Sequence, residues 1–251
     1  MARSKSLRGD WEQYTGNPIL EGGDLWKCSG HGTIVQSPEG RYFYLYHAYH
    51  TYDFEFIGRQ GLLDELLWDD ISGWPYFKYG RTPSLQAEVP FANTVQKRET
   101  QFYDNFATPE KDKIWLWDMN LPRPVLTKNN GKLTFASEGT GLCFRGINVQ
   151  TGNYTMETAV TNEGNNLKGL VVYGNSKNLF TIGMEGGKVK LYQIEKGNRT
   201  ELFSQTVNAP EIYLRVQSIN ARFFRFYWST DQKEWSSFPG DQTALDGIFL
   251  P

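Results

Sequence analysis

Six carboxylates lie between positions 53 and 70, and general acid–base chemistry would need two of them placed around one reacting bond. They are Asp53, Glu55, Asp64, Glu65, Asp69 and Asp70. Carboxylates at these spacings, close to turn residues, are typical of turns and of the rims of sheets. We therefore expect turn and rim positions for all six and assign no catalytic carboxylate among them.

Two other residues, His31 and Arg59, could contact a ligand or an ion. His31 stands between Gly30 and Gly32, and such small neighbours let the backbone approach a ligand or another segment closely. A lone imidazole is a poor calcium ligand because calcium prefers oxygen, so His31 by itself indicates a hydrogen-bonded residue. Arg59 follows a strand-like segment, where a guanidinium is costly to bury without carboxylates, so a surface salt bridge and a ligand contact both stay open. His47 is expected to be a satisfied interior histidine.

Short strands surround these residues. The predicted strands are Gly32–Val35, Arg41–Tyr49, Phe54–Leu63 and Glu65–Trp68, with turns at Ser37–Gly40 and Asp69–Gly73. Four short strands make one propeller blade, and a single blade cannot cover its own two faces. No second segment of this pattern recurs along the chain, so the sequence predicts a partial propeller.

Beyond a polar linker at 82–101, closely spaced alternating strands predict an antiparallel β-sandwich. They are Lys132–Ala136, Tyr154–Thr161, Lys168–Tyr173, Leu179–Met184, Lys188–Glu195, Thr200–Val207, Ile212–Ile219 and Arg222–Ser229. Gly186-Gly187 and Asn220-Ala221 supply the positive φ angles that tight hairpins need. Cys28 and Cys143 fall in different predicted domains, and we expect two buried thiols with no disulfide between them.

Composition excludes several classes of partner. Lys and Arg number 26 against 28 Asp and Glu, so the chain lacks the positive field that attracts nucleic acid or an anionic membrane. Hydrophobic residues make up 39% of the chain, and no run of about 18 apolar residues occurs. Aromatic residues make up 15%, which is typical of sheet cores and also of proteins that stack rings on sugars.

The order of several motifs resembles the last blade of family 43 glycoside hydrolases. The motifs are Trp26–Val35, Gly40–Tyr49, Gly58–Gln60, Leu63-Asp64, Trp68–Asp70 and Gly73–Pro75. Residues 2–20 are similar to the end of the fourth blade, and the segment from Phe102 is similar to the concanavalin-like sandwich of the xylosidase and arabinofuranosidase branch. The sandwich motifs are Asp104–Phe106, Trp115–Trp117, Tyr227–Asp231 and Trp235.

This resemblance implies an all-β fold, with a partial five-bladed propeller at 1–98 followed by a concanavalin-like sandwich at 102–251. Both ends look cut, since the first blades and the last sandwich strands are missing. The implied activity is inverting hydrolysis of xylosidic or arabinofuranosidic bonds in plant cell-wall polysaccharide. The family's catalytic carboxylates come from the first three blades, so none is assigned here.

The resemblance also implies site residues and partners. Arg59 and Trp26 would contact a xylo- or arabino-oligosaccharide, and His31 would point toward a structural calcium ion in the propeller channel, an ion that the chemistry itself does not require. One alternative is that the chain is one half of a split glycosidase, whose protein partner is a separate chain carrying the missing blades. Another alternative is a non-catalytic sandwich that binds glycan through Trp115, Trp117 or Trp235.

Overall fold

The computed structural model describes residues 1–52, 58–88, 90, 100–108, 114–136, 141–149, 151–240 and 243–250. All regular secondary structure in these residues is β-strand, which confirms the prediction of an all-β chain. The same residues contain no helix long and apolar enough to cross a membrane. By its internal contacts the chain divides into two compact units, Met1–Arg98 and Glu99–Pro251.

The first unit is built around one antiparallel sheet. Its strands are β1 (Ala2–Arg3), β2 (Glu12–Gln13), β3 (Trp26–Gln36), β4 (Tyr42–His50), β5 (Gln60–Trp68) and β6 (Pro75–Phe77). β1 pairs with β2, while β3, β4, β5 and β6 pair in sequence order to form what we call the blade sheet. A four-stranded meander of this kind is the repeating unit of a propeller, as the sequence predicts.

The strand bounds of the blade sheet differ from the predicted ones. The predicted strand Glu65–Trp68 and the end of the predicted strand Phe54–Leu63 form one continuous strand, β5, and the fourth strand is Pro75–Phe77. The chain does not turn at Asp64 and Glu65 because both carboxylates find partners within the unit. Residues 53–57 lie outside the described residues.

The two faces of the blade sheet differ in exposure. Side chains alternate along a strand, so Tyr46 and Ala48 lie on one face and Leu45 and His47 on the other. On the first, here called the Tyr46 face, Tyr46 is 3% exposed and Ala48 is fully buried. On the second, the His47 face, Leu45 is 50% exposed. The His47 face is thus open at Leu45 but not along its whole length, since Phe43 on the same face is 4% exposed.

The second unit contains eleven strands in the residues that the structure describes. They are β7 (Val125–Asn129), β8 (Lys132–Ala136), β9 (Tyr154–Thr161), β10 (Lys168–Asn175), β11 (Asn178–Glu185), β12 (Lys188–Glu195), β13 (Asn198–Thr206), β14 (Glu211–Ile219), β15 (Phe223–Ser229), β16 (Ser236–Phe238) and β17 (Leu245–Asp246). β7 and β8 form a hairpin, β10–β13 form one sheet, and β16, β15, β14 and β9 form another in which β17 also pairs with β15.

These two larger sheets pack face to face as a sandwich. The Phe180 ring from β11 lies 6.1 Å from that of Phe224 and 5.6 Å from that of Phe226, both on β15. Leu214 and Val216 on β14 are buried while the residues between them are partly exposed, which confirms the predicted alternation. Strands β7, β16 and β17 were not predicted, since each is short and the last two depend on pairing with β15.

The structure confirms the predicted hairpin turns but not the predicted burial of the cysteines. Gly186 and Gly187 have φ of 57° and 78°, and Asn220 and Ala221 have 51° and 55°, which confirms both predicted turns. The cysteines are free, as expected. The prediction of two buried thiols is wrong, since Cys28 is exposed on the irregular part of β3 and Cys143 is only partly buried.

Candidate functional site

The first half of β3 departs from regular strand geometry. Its register against β4 shifts between Lys27 and Gly30 and again between Gly30 and Thr33. Cys28 and His31 have φ of 55° and 50°, and Gly30 has 150°. A residue other than glycine held in the left-handed region costs about 1–3 kcal/mol, and such residues concentrate at functional sites. This segment is therefore the first candidate for function.

The irregular segment brings two imidazoles together. Gly30 lies opposite His47 in the sheet, and the His31 ring centroid is 5.7 Å from that of His47. His31 is exposed, whereas both ring nitrogens of His47 are buried and have no hydrogen-bond partner in the described residues. The prediction that His47 is satisfied is therefore wrong in the described part of the chain. A buried polar atom without a partner calls for an explanation such as a ligand.

Arg59 lies on the same face of the blade sheet. Its Nε donates a hydrogen bond of 3.2 Å to the Tyr49 hydroxyl, and its Cζ lies 5.8 Å from the centre of the Tyr49 ring. Tyr49 is two residues from His47 on β4, so both side chains belong to the His47 face. Arg59 is exposed and has no carboxylate partner in the described part of the chain. Arg59 and His31 thus share one face.

Trp26 lies on the opposite face. It pairs with His50, and the two rings meet edge to face at 5.3 Å on the Tyr46 face. The indole Nε1 is buried and has no hydrogen-bond partner among the described residues. The structure therefore brings His31 and Arg59 together and separates Trp26 from them. Sugar contact by Arg59 and Trp26 stays a prediction.

The donors on the His47 face do not match a calcium ion held by protein ligands alone. Calcium takes six to eight oxygen ligands, whereas His31 and His47 offer imidazole nitrogens. The described residues contain no group of three or more His, Cys, Asp or Glu placed to share an ion. A contact from His31 to calcium through water stays a prediction.

Two of the six carboxylates are buried, so the expectation of turn and rim positions is wrong for them. Asp64 is 3% exposed and Glu65 is 7% exposed. One oxygen of Asp64 accepts a 2.6 Å hydrogen bond from the Tyr46 hydroxyl and a 3.3 Å bond from the Ser84 amide. Burial, together with the bond to Asp64, raises the pKa of Tyr46. Asp64 therefore holds the Tyr46 side chain in place on the Tyr46 face.

Glu65 occupies an ion cluster on the other face. It accepts two hydrogen bonds of 2.7 Å from the Arg41 guanidinium and one of 2.9 Å from Lys78. The hydrogen bonds from Arg41 lower the pKa of Glu65 to about 2. A carboxyl with such a pKa stays ionised and cannot act as a general acid near neutral pH.

Asp69 and Asp70 do not supply an acid and a base. Asp69 accepts a 2.7 Å bond from the Ser72 amide within its turn, as expected, and Asp70 is exposed. Asp53 and Glu55 lie outside the described residues. Asp64 and Glu65 are adjacent on β5 and point to opposite faces, so they cannot flank one bond. The described blade residues therefore contain no pair of carboxyls placed to act as acid and base.

The three tryptophans considered for glycan binding in the second unit are all partly buried. Trp115 donates a 2.8 Å hydrogen bond from Nε1 to Asp104. Trp235 donates from Nε1 to the Gln232 carbonyl, and the Cζ of Arg215 lies 3.7 Å from its ring centre.

Comparison with known families agrees with this architecture. Residues 1–75 match the family model described as glycosyl hydrolases family 43, and residues 103–248 match the model described as the β-xylosidase C-terminal concanavalin A-like domain. A xylosidase/arabinosidase 43B of Humicola insolens is 33% identical over 142 residues, which are 53% of this chain and 26% of that protein. A β-xylosidase of Bacillus subtilis (strain 168) is 28% identical over an alignment of 286 residues, covering 94% of this chain and 50% of the relative. The chain thus spans half or less of the length of these relatives.

Solved structures share the fold. The GH43 protein BlXynB from Bacillus licheniformis superimposes with a TM-score of 0.82 at 23% identity, covering 99% of this chain and 51% of that one. The Bacteroides ovatus protein described as xyloglucan PUL GH43B gives a TM-score of 0.75 at 18% identity, covering 99% and 52%. At these identities the likeness concerns the fold alone.

Proposed function

The chain belongs to glycoside hydrolase family 43, in its β-xylosidase and α-L-arabinofuranosidase branch. On that premise we propose that its first unit forms the last-blade side of a sugar pocket in an exo-acting glycosidase and that its second unit is the sandwich domain of that enzyme. The proposed substrates are xylo- or arabino-oligosaccharides of the xylan and arabinoxylan type. The proposed reaction is inverting hydrolysis, in which an acid protonates the leaving oxygen and a base activates water.

The observation that carries this proposal is the exposed guanidinium of Arg59 on the His47 face, which has no carboxylate partner in the described residues. A planar, permanently charged fork suits sugar hydroxyls and ionised carboxylates, and the Tyr49 hydroxyl holds it in place at 3.2 Å. On the same face lie the exposed His31 and the buried nitrogens of His47, which have no hydrogen-bond partner among the residues that the structure describes. A sugar together with catalytic carboxylates would supply hydrogen-bond partners for Arg59, His31 and His47.

The acid and the base are proposed to come from other blades. Inverting enzymes hold their two carboxyls roughly 6.5–9.5 Å apart, one on each side of the bond. Asp64 and Glu65 cannot fill these roles, because they face opposite ways and Glu65 stays ionised. We propose that a polypeptide carrying the first blades covers the His47 face and supplies both groups.

Hydrolysis of 4-nitrophenyl β-D-xyloside and α-L-arabinofuranoside tests this function. The chain alone should give no turnover, because acid and base catalysis each contribute about 10²–10⁴-fold and both groups are supplied elsewhere. Addition or fusion of the first blades of a family 43 propeller should produce turnover that Arg59→Ala lowers roughly 10- to 100-fold. Turnover by the chain alone, lost on substitution of a carboxylate between positions 53 and 70, would contradict the proposal.

A further inference from the structure

Trp117 in the second unit lies beside two arginines that the proposed hydrolysis does not use. The Cζ of Arg123 is 4.9 Å from the indole centre, and the Cζ of Arg145 is 5.9 Å away. Trp117 and Arg145 are partly buried, and Arg123 is exposed. We call these three residues the Arg–Trp–Arg cluster.

Two members of the cluster flank a backbone bridge. Leu116 and Gly146 form an isolated antiparallel bridge in which they exchange hydrogen bonds of 2.7 and 2.9 Å. Trp117 follows Leu116 and Arg145 precedes Gly146, and the Arg145 Cζ lies 5.9 Å from the Trp117 ring centre. The cluster therefore rests on a hydrogen-bonded frame, which lowers the entropic cost of binding a ligand.

Asp118, the acidic residue next to Trp117, already has its hydrogen-bond partners. It accepts a 2.6 Å bond from the Tyr173 hydroxyl and bonds of 2.8 and 2.9 Å from the backbone and side chain of Asn120. These bonds, that from Tyr173 foremost, lower the pKa of Asp118 and keep it ionised. Its carboxylate therefore stabilises the turn and is not bound to either arginine.

The positive charges of the cluster have no carboxylate partner in the described part of the chain. The Nε of Arg145 is also buried without a hydrogen-bond acceptor there. Leaving a buried donor of a charged group unsatisfied is costly, so an acceptor is expected at this place. Arg199 provides the contrast, because its guanidinium lies 3.7 Å from the Tyr192 ring centre and is paired with Glu185 at 3.3 Å.

We propose that the Arg–Trp–Arg cluster binds a carboxylate-bearing sugar, such as a hexuronic acid residue of a polysaccharide. Guanidinium groups bind carboxylates through paired, charge-assisted hydrogen bonds, and an indole offers an apolar surface to the C–H face of a sugar ring. The two guanidinium groups favour a sugar that carries a carboxylate over a neutral sugar, and the indole ring favours such a sugar over a small anion. This site goes beyond the proposed hydrolysis and does not depend on it.

Calorimetric titration of the whole chain with D-glucuronate, D-glucose and acetate tests the proposal. Glucuronate should bind at least about tenfold more tightly than either of the others, since each lacks one of the two recognised features. The Trp117 indole signal should shift in NMR spectra on addition of glucuronate, and comparison with Trp117→Phe assigns that signal among the eight tryptophans. Affinity should fall as salt is raised.

Variants localise the site. Arg123→Gln and Arg145→Gln should each weaken glucuronate binding about tenfold or more, and Arg123 is exposed enough for its replacement to leave the fold intact. Arg199→Gln removes a ring-stacked arginine that is already paired, so it should leave binding unchanged. Equal binding of glucose or acetate, or full binding by Arg123→Gln, would overturn the proposal.

Discussion

Replacement of Glu65 by glutamine should destabilise the first unit more than any other single charge removal in its ion cluster. The Glu65 side chain is 9% exposed and accepts bonds from both Arg41 and Lys78. Glutamine keeps the shape but removes the buried carboxylate, so that Arg41 and Lys78 keep only the exposed Glu88 as a partner in the described part of the chain. Breaking a buried ion pair costs about 3–5 kcal/mol, and we expect the lower end because Arg41 and Lys78 are 32% and 29% exposed.

The pH dependence of stability gives an independent estimate of the same magnitude. The pKa of Glu65 falls from an ordinary 4.5 to about 2 in the folded chain. A group with a depressed folded pKa contributes stability that is present above its unfolded pKa and is lost as the pH falls toward the folded value. A shift of this size corresponds to at most about 3 kcal/mol, lost between about pH 4.5 and 2.

Hydrogen exchange of the β4 and β5 amides measures this loss in the first unit separately from the second. Glu65→Gln should lower the free energy of opening of these amides by about 3 kcal/mol near pH 7. Below pH 4.5 that free energy should fall much less in the variant than in the unchanged chain. Glu88→Gln is the matched control, because Glu88 contacts the same Lys78 at 2.9 Å but is 68% exposed, and its loss should cost under about 1 kcal/mol. Equal effects of the two substitutions, or an unchanged acid decline in Glu65→Gln, would refute the reasoning.

Two further predictions concern the framework of the candidate site. Gly32→Ala should lower the free energy of unfolding by about 1–3 kcal/mol, because its Cβ would lie 2.6 Å from that of Tyr46 and would also clash with the Leu45 carbonyl. Gly61→Ala, with nothing within 4 Å, should be close to neutral, and equal denaturant midpoints for the two variants would contradict this account. Tyr46→Phe should cost about 1–3 kcal/mol by removing the hydrogen bond to buried Asp64, measured by urea unfolding, and no loss of stability would show that Asp64 does not depend on this bond.

The sheet elements follow from the sequence because alternation and turn chemistry are local signals. β14 alternates apolar with polar residues, and its turn residues Asn220 and Ala221 adopt the positive φ that the pattern requires. The sequence does not predict one continuous β5, because Asp64 and Glu65 are residue types that are common in turns. Their partners, Tyr46 on β4 and Arg41 before it, are supplied by the fold and leave no signal in the local sequence.

The candidate site was only partly predictable for the same reason. The glycines around His31 indicate an unusual backbone, and the structure has positive φ at Gly30 and at His31 itself. The contact between His31 and His47 arises from a double register shift, which no periodicity in the sequence encodes. The family resemblance assigns both Trp26 and Arg59 to sugar contact, but the pairing of Trp26 with His50 places it on the other face of the blade sheet.

The most direct test of the central claim is kcat/KM for an aryl xyloside, measured on the protein with a complete propeller and either Arg59→Lys or Arg59→Ala. If Arg59 binds sugar and carboxylates as a planar fork, both variants should lose roughly 10- to 100-fold and to a similar extent, because a lysine cannot reproduce paired hydrogen bonds. Arg81→Lys, an exposed arginine paired with Glu21, is the control and should retain full activity. Near-normal kcat/KM for Arg59→Lys would contradict the assignment of Arg59 to the sugar pocket.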